Sequence, residues 1–569
     1  MEEIIIGEQQ IRSAAHTLRK YKQGRINLER KIVENEQFWK LRHWEQMRPE
    51  SNIPATGWLW NVIVSKHADM EDGYPEPNIL AREESDKQEA KNLSSIIPVV
   101  LEQNGFRKTY SECGWYKLKQ GSSVFGVFWD GGKLGGLGDI SIKKIDLLNL
   151  FWEPGISDIQ KSKNVFHVEL ADRAEIEAKY PVCAGKTGTA EEITKYIYDE
   201  SIDTTDKCAV VDWYYRRNIN GVNTLQYCKF TGNTVLYASE NDPVMRESGW
   251  YAHGKYPFVI DALFKIEGSP CGYGYTDICK DTQINIDRLN YAIIDNAVKG
   301  SKIRYFIRSD GGVNEDEYAD WNRDFVHTSM SLGDDSIKQI KIEPLDQLYV
   351  AVLNNQIEML KYTTGSTDVL NGSARTGRTA ASAIAALQEA GGKTSRDMIS
   401  ATYCAYKEII IMVIELIRQF YSVARQFRIV GENGFPEYVY YSNENISVQN
   451  QGSDYGVELG ERCPQFDIDV HVQKASTYTK MAQNDFALQL YNSGVLNPSN
   501  SVQAIMLLEL MDFKGKDELI EKISRMGELF SGVELADAVK AKKRAAANGE
   551  HYMVARAREK ARNSVLPAD

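Results

Sequence analysis

Apolar residues recur three or four positions apart in three long segments between residues 271 and 427, a period that predicts three helices. The first is expected to open at Thr276, an N-cap after a flexible Gly272-Tyr273-Gly274, and to close at Gly300 behind Lys299. At about 1.5 Å per residue it would span roughly 36 Å. Tyr275, Ile278, Thr282, Ile286, Leu289, Ile293 and Ala297 share one face, and Ile284, Tyr291, Ile294 and Val298 lie nearly opposite. Two stripes admit two readings: a helix buried all round in a large domain, or a stave packed on a neighbour at each side.

A return helix is expected over Leu345–Tyr362, with Leu345, Leu348, Tyr349, Val352, Leu353, Ile357 and Leu360 in register. Between the two helices, the alternating runs Ile303–Ile307 and Ile337–Lys341 predict short strands. The intervening tip, Asp310–Asp335, holds eight acidic residues against the single Arg323, the pattern of a solvated negative knob. Thr363–Arg378 then places Gly365, Gly372 and Gly377 among Ser, Thr and Asn, which predicts a mobile loop. The third helix opens at Thr379, meets Gly391-Gly392 and restarts at Thr394 with a capping-box-like Thr394-Ser395-Arg396-Asp397. Met398, Thr402, Tyr406, Ile410, Val413, Ile417 and Phe420 carry its stripe onward, and the glycine pair predicts a kink.

The flanking regions are mixed. Residues Gln9–Trp44 read as one long charged helix, and Trp58–Val64 begins a buried segment. Tyr74-Pro75-Glu76-Pro77 forces an extended connection. Helices are expected at Ser85–Gln103 and Lys108–Lys119, then a hairpin of Ser123–Trp129 with Ile140–Ile145. Strand-like runs follow at Asn164–Leu170, Ala209–Arg216, Thr224–Phe230 and Phe258–Phe264. After Phe427, Tyr438–Tyr441 and Phe466–Val472 alternate by face and are read as strands completing the same sheet. From Ala475 onward the pattern is helical. Its last segment carries eight Lys or Arg between Lys540 and Arg562 against two Glu, either a solvated amphipathic tail or a patch for nucleic acid.

Composition narrows the class. The 569 residues are 43% hydrophobic and 26% charged, a globular profile with ample core. A formal charge of −12 argues against a protein that coats itself broadly in nucleic acid, while leaving room for a channel that DNA passes without sticking. Cys113, Cys183, Cys208, Cys228, Cys271, Cys279, Cys404 and Cys463 are scattered with no C-x-x-C, which favours reduced thiols over a disulfide framework. No signal peptide is evident at Met1–Glu8, and the most apolar run, Ile409–Ile414, is far too short for a bilayer.

No catalytic site is readable. Three glycine-lysine segments approach the phosphate-binding loop and fail it: Tyr180 stands where Gly185-Lys186-Thr187 needs its first glycine, and Leu387 does so before Gly392-Lys393-Thr394. Gly249 and Gly254-Lys255 have both glycines, but Tyr256 replaces the metal-binding hydroxyl. His16, His43, His67, His167, His253, His327, His471 and His551 are isolated, with no H-E-x-x-H and no His/Cys pairing. Asp467 and Asp469 share a strand face, either as paired carboxylates for two-metal catalysis or, the commoner case, as solvated acids.

Helix, small β insertion, returning helix, glycine-rich loop and long kinked helix, in that order, resemble the stem, clip, second stem helix, tunnel loop and wing helix of tailed-bacteriophage portal proteins. The segment Asp281–Asn290 is similar to the family's Gln/Asn-bearing stem segment, and Thr364–Ala380 to its tunnel-loop junction. The helix before Tyr74-Pro75, the strand Val124–Trp129 and Asn149–Pro154 resemble wing features. The resemblance implies an α+β ring subunit. Its parts would be an N-terminal wing (1–270), stem helices (271–300 and 345–363), a clip (301–344), a tunnel loop (364–378), a kinked helix with wing strands (379–474) and a helical crown (475–569).

It further implies a ring of about twelve copies at one capsid vertex, through which a terminase motor pumps double-stranded DNA and by which that DNA later leaves. Implied partners are the terminase large subunit, major capsid and scaffolding proteins, and a neck or tail adaptor. No cofactor, metal or membrane is implied, and the setting is the virion, assembled in the host bacterial cytoplasm. By the same resemblance, Ile286, Leu289, Ile293 and Ile294 would pack the stem ring, and Asp310, Glu315, Asp316, Glu317, Asp320, Asp334 and Asp335 would face terminase and adaptor. Gly365, Ser366, Asn371, Gly372, Ser373, Arg375, Gly377 and Arg378 would face the channel. Arg375 and Arg378 would meet phosphate in a bidentate fork, or flank the helix start paired to a nearby acid. Two other classes stay open: a different ring protein of a virion, and a nucleic-acid enzyme whose metal site is assembled from distant carboxylates.

Overall fold

The computed structural model describes residues 5–47, 53–188, 206–219, 221–301, 304–307, 314–320, 337–340, 343, 345–365, 393–430 and 436–450. It also describes residues 453–454, 457–458 and 461–472, and isolated positions 484, 487, 489, 507, 508 and 511. The chain divides into two units. The larger holds Met1–Glu71, Pro75–Arg425 and Tyr441–His471; the smaller holds Asp72–Tyr74, Gln426–Tyr440 and Val472–Asp569.

In the larger unit, α1 (Glu8–Gly24) sets Ile11, Ala14, Leu18 and Tyr21 on one face, at the spacing a helix needs to bury a single stripe. The expected single helix over Gln9–Trp44 is instead three: α1, α2 (Ile26–Trp39) and α3 (His43–Met47). The reason lies at the joints. Arg25 leaves helical geometry (φ −116°, ψ 17°), so that its buried guanidinium donates to the carbonyls of Leu147 and Leu150. At the second joint Leu41 sits at φ 56°, the left-handed region that breaks a helix.

α4 (Trp58–Asp72) follows, then β1 (Pro75–Ala81), α5 (Lys87–Gln103) and α6 (Phe106–Gln120). β2 (Ser122–Asp130) and β3 (Asp139–Ile145) form the expected hairpin, pairing Val124 with Ile145 and Trp129 with Ile140. β4 (Leu150–Trp152), β5 (Asn164–Asp172), α7 (Arg173–Lys179), β6 (Lys207–Ile219), β7 (Val222–Thr231), β8 (Thr234–Ala238) and α8 (Pro243–Ser248) come next. β9 (Phe258–Ala262) joins β2, giving a three-stranded sheet in the order β3-β2-β9 beside a five-stranded antiparallel sheet in the order β4 to β8.

Period 2 divides the five-stranded sheet. Phe166, Val168, Val211, Tyr215, Cys228 and Phe230 point to the face that α1 covers, with Ile11, Leu18 and Tyr21 in the same core. His167, Asp212 and Lys229, on alternate positions and cross-paired, point the other way.

β10 (Phe264–Lys265) and β11 (Gly272–Tyr273) pair just before α9 (Tyr275–Ser301). β12 (Arg304–Ile307) and β13 (Ile337–Ile340) are antiparallel, with Arg304 opposite Ile340 and Ile307 opposite Ile337, and α10 (Glu315–Ala319) lies between them in sequence. α11 (Gln347–Thr364) and α12 (Lys393–Phe420) complete the long helices.

The strand Phe466–Val472 pairs with β1, so it forms its own two-stranded sheet and extends neither larger one. β14 (Arg425–Val430) and β15 (Pro436–Tyr441), which lie in the smaller unit except for Arg425 and Tyr441, pair with each other, and Tyr438 and Tyr440 are exposed. The expected helix start at Thr379 and kink at Gly391-Gly392 lie outside the described residues, as do nearly all of residues 475–569. All eight cysteines are free, and no helix among the described residues is long and apolar enough to cross a membrane.

Candidate functional site

The α9–α11 hairpin is rooted at one end and bare along its outer faces. Its root begins with close backbone contact. Gly121 caps α6 at φ 84°, and a Cβ there would stand 2.3 Å from the Tyr273 carbonyl carbon and 2.5 Å from the Gly274 nitrogen. A Cβ on Gly274 would in turn meet the Lys119 and Leu118 carbonyl oxygens at 2.7 and 2.8 Å. Gly272-Tyr273-Gly274 is therefore a packed junction, with Gly272 and Gly274 buried, and not the flexible lead-in that its glycines predict.

Asp277 then closes the first turn of α9. It accepts from the Gly274 N–H at 2.8 Å and from Asn35 Nδ2 at 3.0 Å, and pairs with Lys31 at 3.3 Å. Two to three turns further, Gln283 and Asp287 build a buried polar knot. Asp287, fully buried, accepts from the Thr56 N–H (2.9 Å) and hydroxyl (2.6 Å), Trp44 Nε1 (3.1 Å) and Gln283 Nε2 (2.9 Å), and hydrogen-bonds His43 Nε2 at 2.8 Å. Gln283 Oε1 accepts from the Leu59 N–H at 2.9 Å, and its Nε2 donates to the Thr56 carbonyl at 2.8 Å. The side chains of Gln283 and Asp287 find partners on α3, the 53–57 segment and α4, which fixes the rotation of α9 about its own axis.

Beyond Asp287 the helix leaves the core. No residue from Arg288 to Ser301 is buried; Leu289 and Ile293 are half-buried, while Ile294 and Val298 are exposed. Here α11 runs back along α9, joined through Asn296, whose side chain donates to the Glu343 carbonyl (3.2 Å) and accepts from the Leu345 N–H (3.3 Å). Asp346 N-caps α11 by accepting from the Leu348 N–H at 3.3 Å, and Leu360 and Thr364 are buried at its other end. Between these ends Leu348 (63% exposed), Tyr349, Val350, Val352, Met359 (50%) and Tyr362 (75%) lie open to solvent. So many large apolar side chains on one hairpin exceed the scattered exposure normal for a lone surface helix.

Of the residues expected to pack a stem ring, Ile286 is buried within the subunit, Leu289 and Ile293 are half-buried, and Ile294 is exposed. Among the acidic tip residues, Asp316 is exposed, Glu317 and Asp320 are half-buried, and the Asn314 side chain accepts from the Glu317 N–H at 3.4 Å. Glu315 lies in α10, and Asp310, Asp334 and Asp335 fall outside the described residues. Gly365 ends α11 at φ 66°, the left-handed C-cap that glycine favours. Ser366, Asn371, Gly372, Ser373, Arg375, Gly377 and Arg378 lie outside the described residues.

α12 is anchored as firmly as α9. Lys117, fully buried, donates to Asp261 (2.7 Å) and to the Thr402 hydroxyl (2.7 Å), tying α6 and β9 to α12. Lys66 donates to the Ser395 hydroxyl (2.9 Å), which donates to Asp69 (2.6 Å). Breaking a buried pair such as Lys117–Asp261 costs about 3–5 kcal/mol because a lone charge is left behind.

The sites tested for catalysis have structural accounts. Asp467 is engaged by Arg82, at 2.9 Å from Nε and 2.7 Å from a terminal nitrogen. Gly249 to Lys255 link helix α8 to strand β9, the reverse of the strand–loop–helix that a phosphate cradle needs. Sequence reasoning passed over Gln283 and Asp287 as individual residues. Their signal was legible: polar side chains spaced i, i+4 beside the buried positions Cys279 and Ile286.

Paired helices fixed at their roots, with large apolar side chains left open along them, carry the kind of surface by which proteins associate. The family model described as Phage P22-like portal protein matches residues 67–561, and the chain belongs to that family. No curated protein matches it. Membership makes it a bacteriophage portal protein, a structural component of the virion capsid that forms a homo-oligomeric ring at a capsid vertex.

Proposed function

We propose that this chain is one subunit of a closed ring of about a dozen copies that forms the channel for DNA packaging and ejection, with α9 and α11 as staves of its wall. The observation that carries the reading is the apolar surface left open on the α9–α11 hairpin by Ile294, Val298, Leu348, Met359 and Tyr362. In a ring each hairpin would lie between two neighbours, which accounts for apolar residues on more than one face. The acidic segment Asp310–Asp335 would dock the terminase motor and later a neck or tail adaptor by charge complementarity. The loop Gly365–Arg378 would border the channel, where Arg375 and Arg378 make transient phosphate contacts.

The decisive experiment is native mass spectrometry of the purified chain with negative-stain electron microscopy of the same sample. Closed rings with a central hole wide enough for a duplex are expected at high protein concentration. A chain that stays monomeric when concentrated, and remains so with scaffolding and capsid proteins added, would sink the proposal.

A further inference from the structure

The face of the five-stranded sheet turned away from α1 carries a cluster that the portal reading does not use. His167 and Glu169 stand two residues apart on β5 and so share a face, and Asp212 is the cross-strand partner of His167 on β6. His167 Nδ1 lies 3.5 Å from Asp212 Oδ2 and 3.8 Å from Glu169 Oε1, and the three nearest ligand atoms all fall within 4.8 Å of one another. These separations are long for hydrogen bonds, whose donor–acceptor distances centre near 2.9 Å. They approach the ligand–ligand edges of a tetrahedral ion with bonds of about 2.0–2.2 Å, which are roughly 3.4 Å.

The surroundings orient one ligand as a metal site requires. Asp212 Oδ1 is taken by the Tyr227 hydroxyl at 2.7 Å and by Lys229 Nζ at 2.9 Å, which leaves Oδ2 presented to His167. His167 and Asp212 are buried on the rigid centre of the sheet, while the Glu169 side chain is 48% exposed and free to close on an ion arriving from solvent.

We propose that His167, Glu169 and Asp212 form a site for one divalent transition-metal ion of the Zn²⁺, Co²⁺ or Ni²⁺ class, with water as the fourth ligand. An imidazole with two carboxylates selects these ions over Ca²⁺ and Mg²⁺, which prefer all-oxygen shells. The ion fastens β5 to β6 and stiffens the five-stranded sheet; no reaction step is assigned to it.

The test uses the full chain without a histidine tag, titrated with Co²⁺ and Zn²⁺ after chelator treatment, beside Glu169→Gln and His167→Asn. Expected are one equivalent of ion per wild-type chain, a visible cobalt spectrum with no thiolate charge-transfer band, and a melting temperature that rises with Zn²⁺ and falls back with EDTA. Glu169→Gln should bind at least ~10-fold more weakly while keeping its metal-free melting temperature. Wild type that binds no ion at 100 μM, or binding equal in wild type and Glu169→Gln, overturns the proposal; a thiolate band would place the ion on cysteine and overturn it too. Should His167→Asn fail to fold, the half-exposed Glu169→Gln decides alone. Ring formation plays no part in this readout.

Discussion

Asp287 is the shared acceptor for five groups, on His43, Trp44, Thr56 (two) and Gln283, and water does not reach it. Asp287→Ala strands those groups in a dry pocket, so a loss of roughly 3–5 kcal/mol is expected in urea unfolding, with α9 loosened before the sheets. His253 supplies a second residue-scale test. Burial, with the Lys255 charge adding to it, pushes its pKa down from 6.5 to about 4. Its ring is neutral in the folded chain and accepts from the Lys255 N–H at 3.0 Å. The unfolded chain binds a proton here below pH 6.5, and the folded chain binds it only near pH 4. Stability is therefore intact above pH 6.5 and falls as the pH drops toward 4. Relative to wild type, His253→Gln should remove on the order of 2 kcal/mol of that acid loss, read as the difference in melting temperature at pH 7 and pH 4.5.

At the scale of elements, the direction of α9 is set where three glycines meet. Gly121→Ala puts a methyl group 2.3 Å from the Tyr273 carbonyl carbon at a φ that alanine resists, so the junction must part. A loss of about 3 kcal/mol or more is expected. Gly131→Ala, in a loop where the added methyl meets nothing within 4 Å, should stay within about 0.5 kcal/mol and serves as the control. Helix periods and the positions of the two short strands between α9 and α11 were legible in the sequence because side-chain spacing alone encodes them: β12 and β13 lie within the alternating runs that predict them. The break of the first helix at Arg25 was not legible, since its cause is two carbonyls more than 120 residues away.

For the whole molecule, the exposed apolar side chains of α9 and α11 let folding and the proposed ring assembly be tested separately. Leu348 and Tyr362 make little contact within the subunit, being 63% and 75% exposed. Leu348→Ser with Tyr362→Ser should leave the melting temperature of the monomer within about 2 °C and abolish rings, as read by native mass spectrometry. Rings that persist in this double variant would mean that the hairpin faces are not the assembly surface.

What the sequence determined by itself was local and ordinal: the periods of the helices, the β-hairpin at Val124–Ile145, the acidic segment between the helices, and the element order that resembles the portal family. Those properties depend on neighbours within a few residues, so a single chain reports them. Only the tertiary structure decided that α9 meets the core through a face carrying Cys279, Gln283, Ile286 and Asp287, with Ile278 of the expected stripe exposed, why Gly121 and Gly274 must be glycine, and that His167, Glu169 and Asp212 share one face of a sheet. Each of those facts joins atoms brought together by strand pairing or helix packing. Contact across such sequence distances carries no local period, and it exists only once the chain has folded.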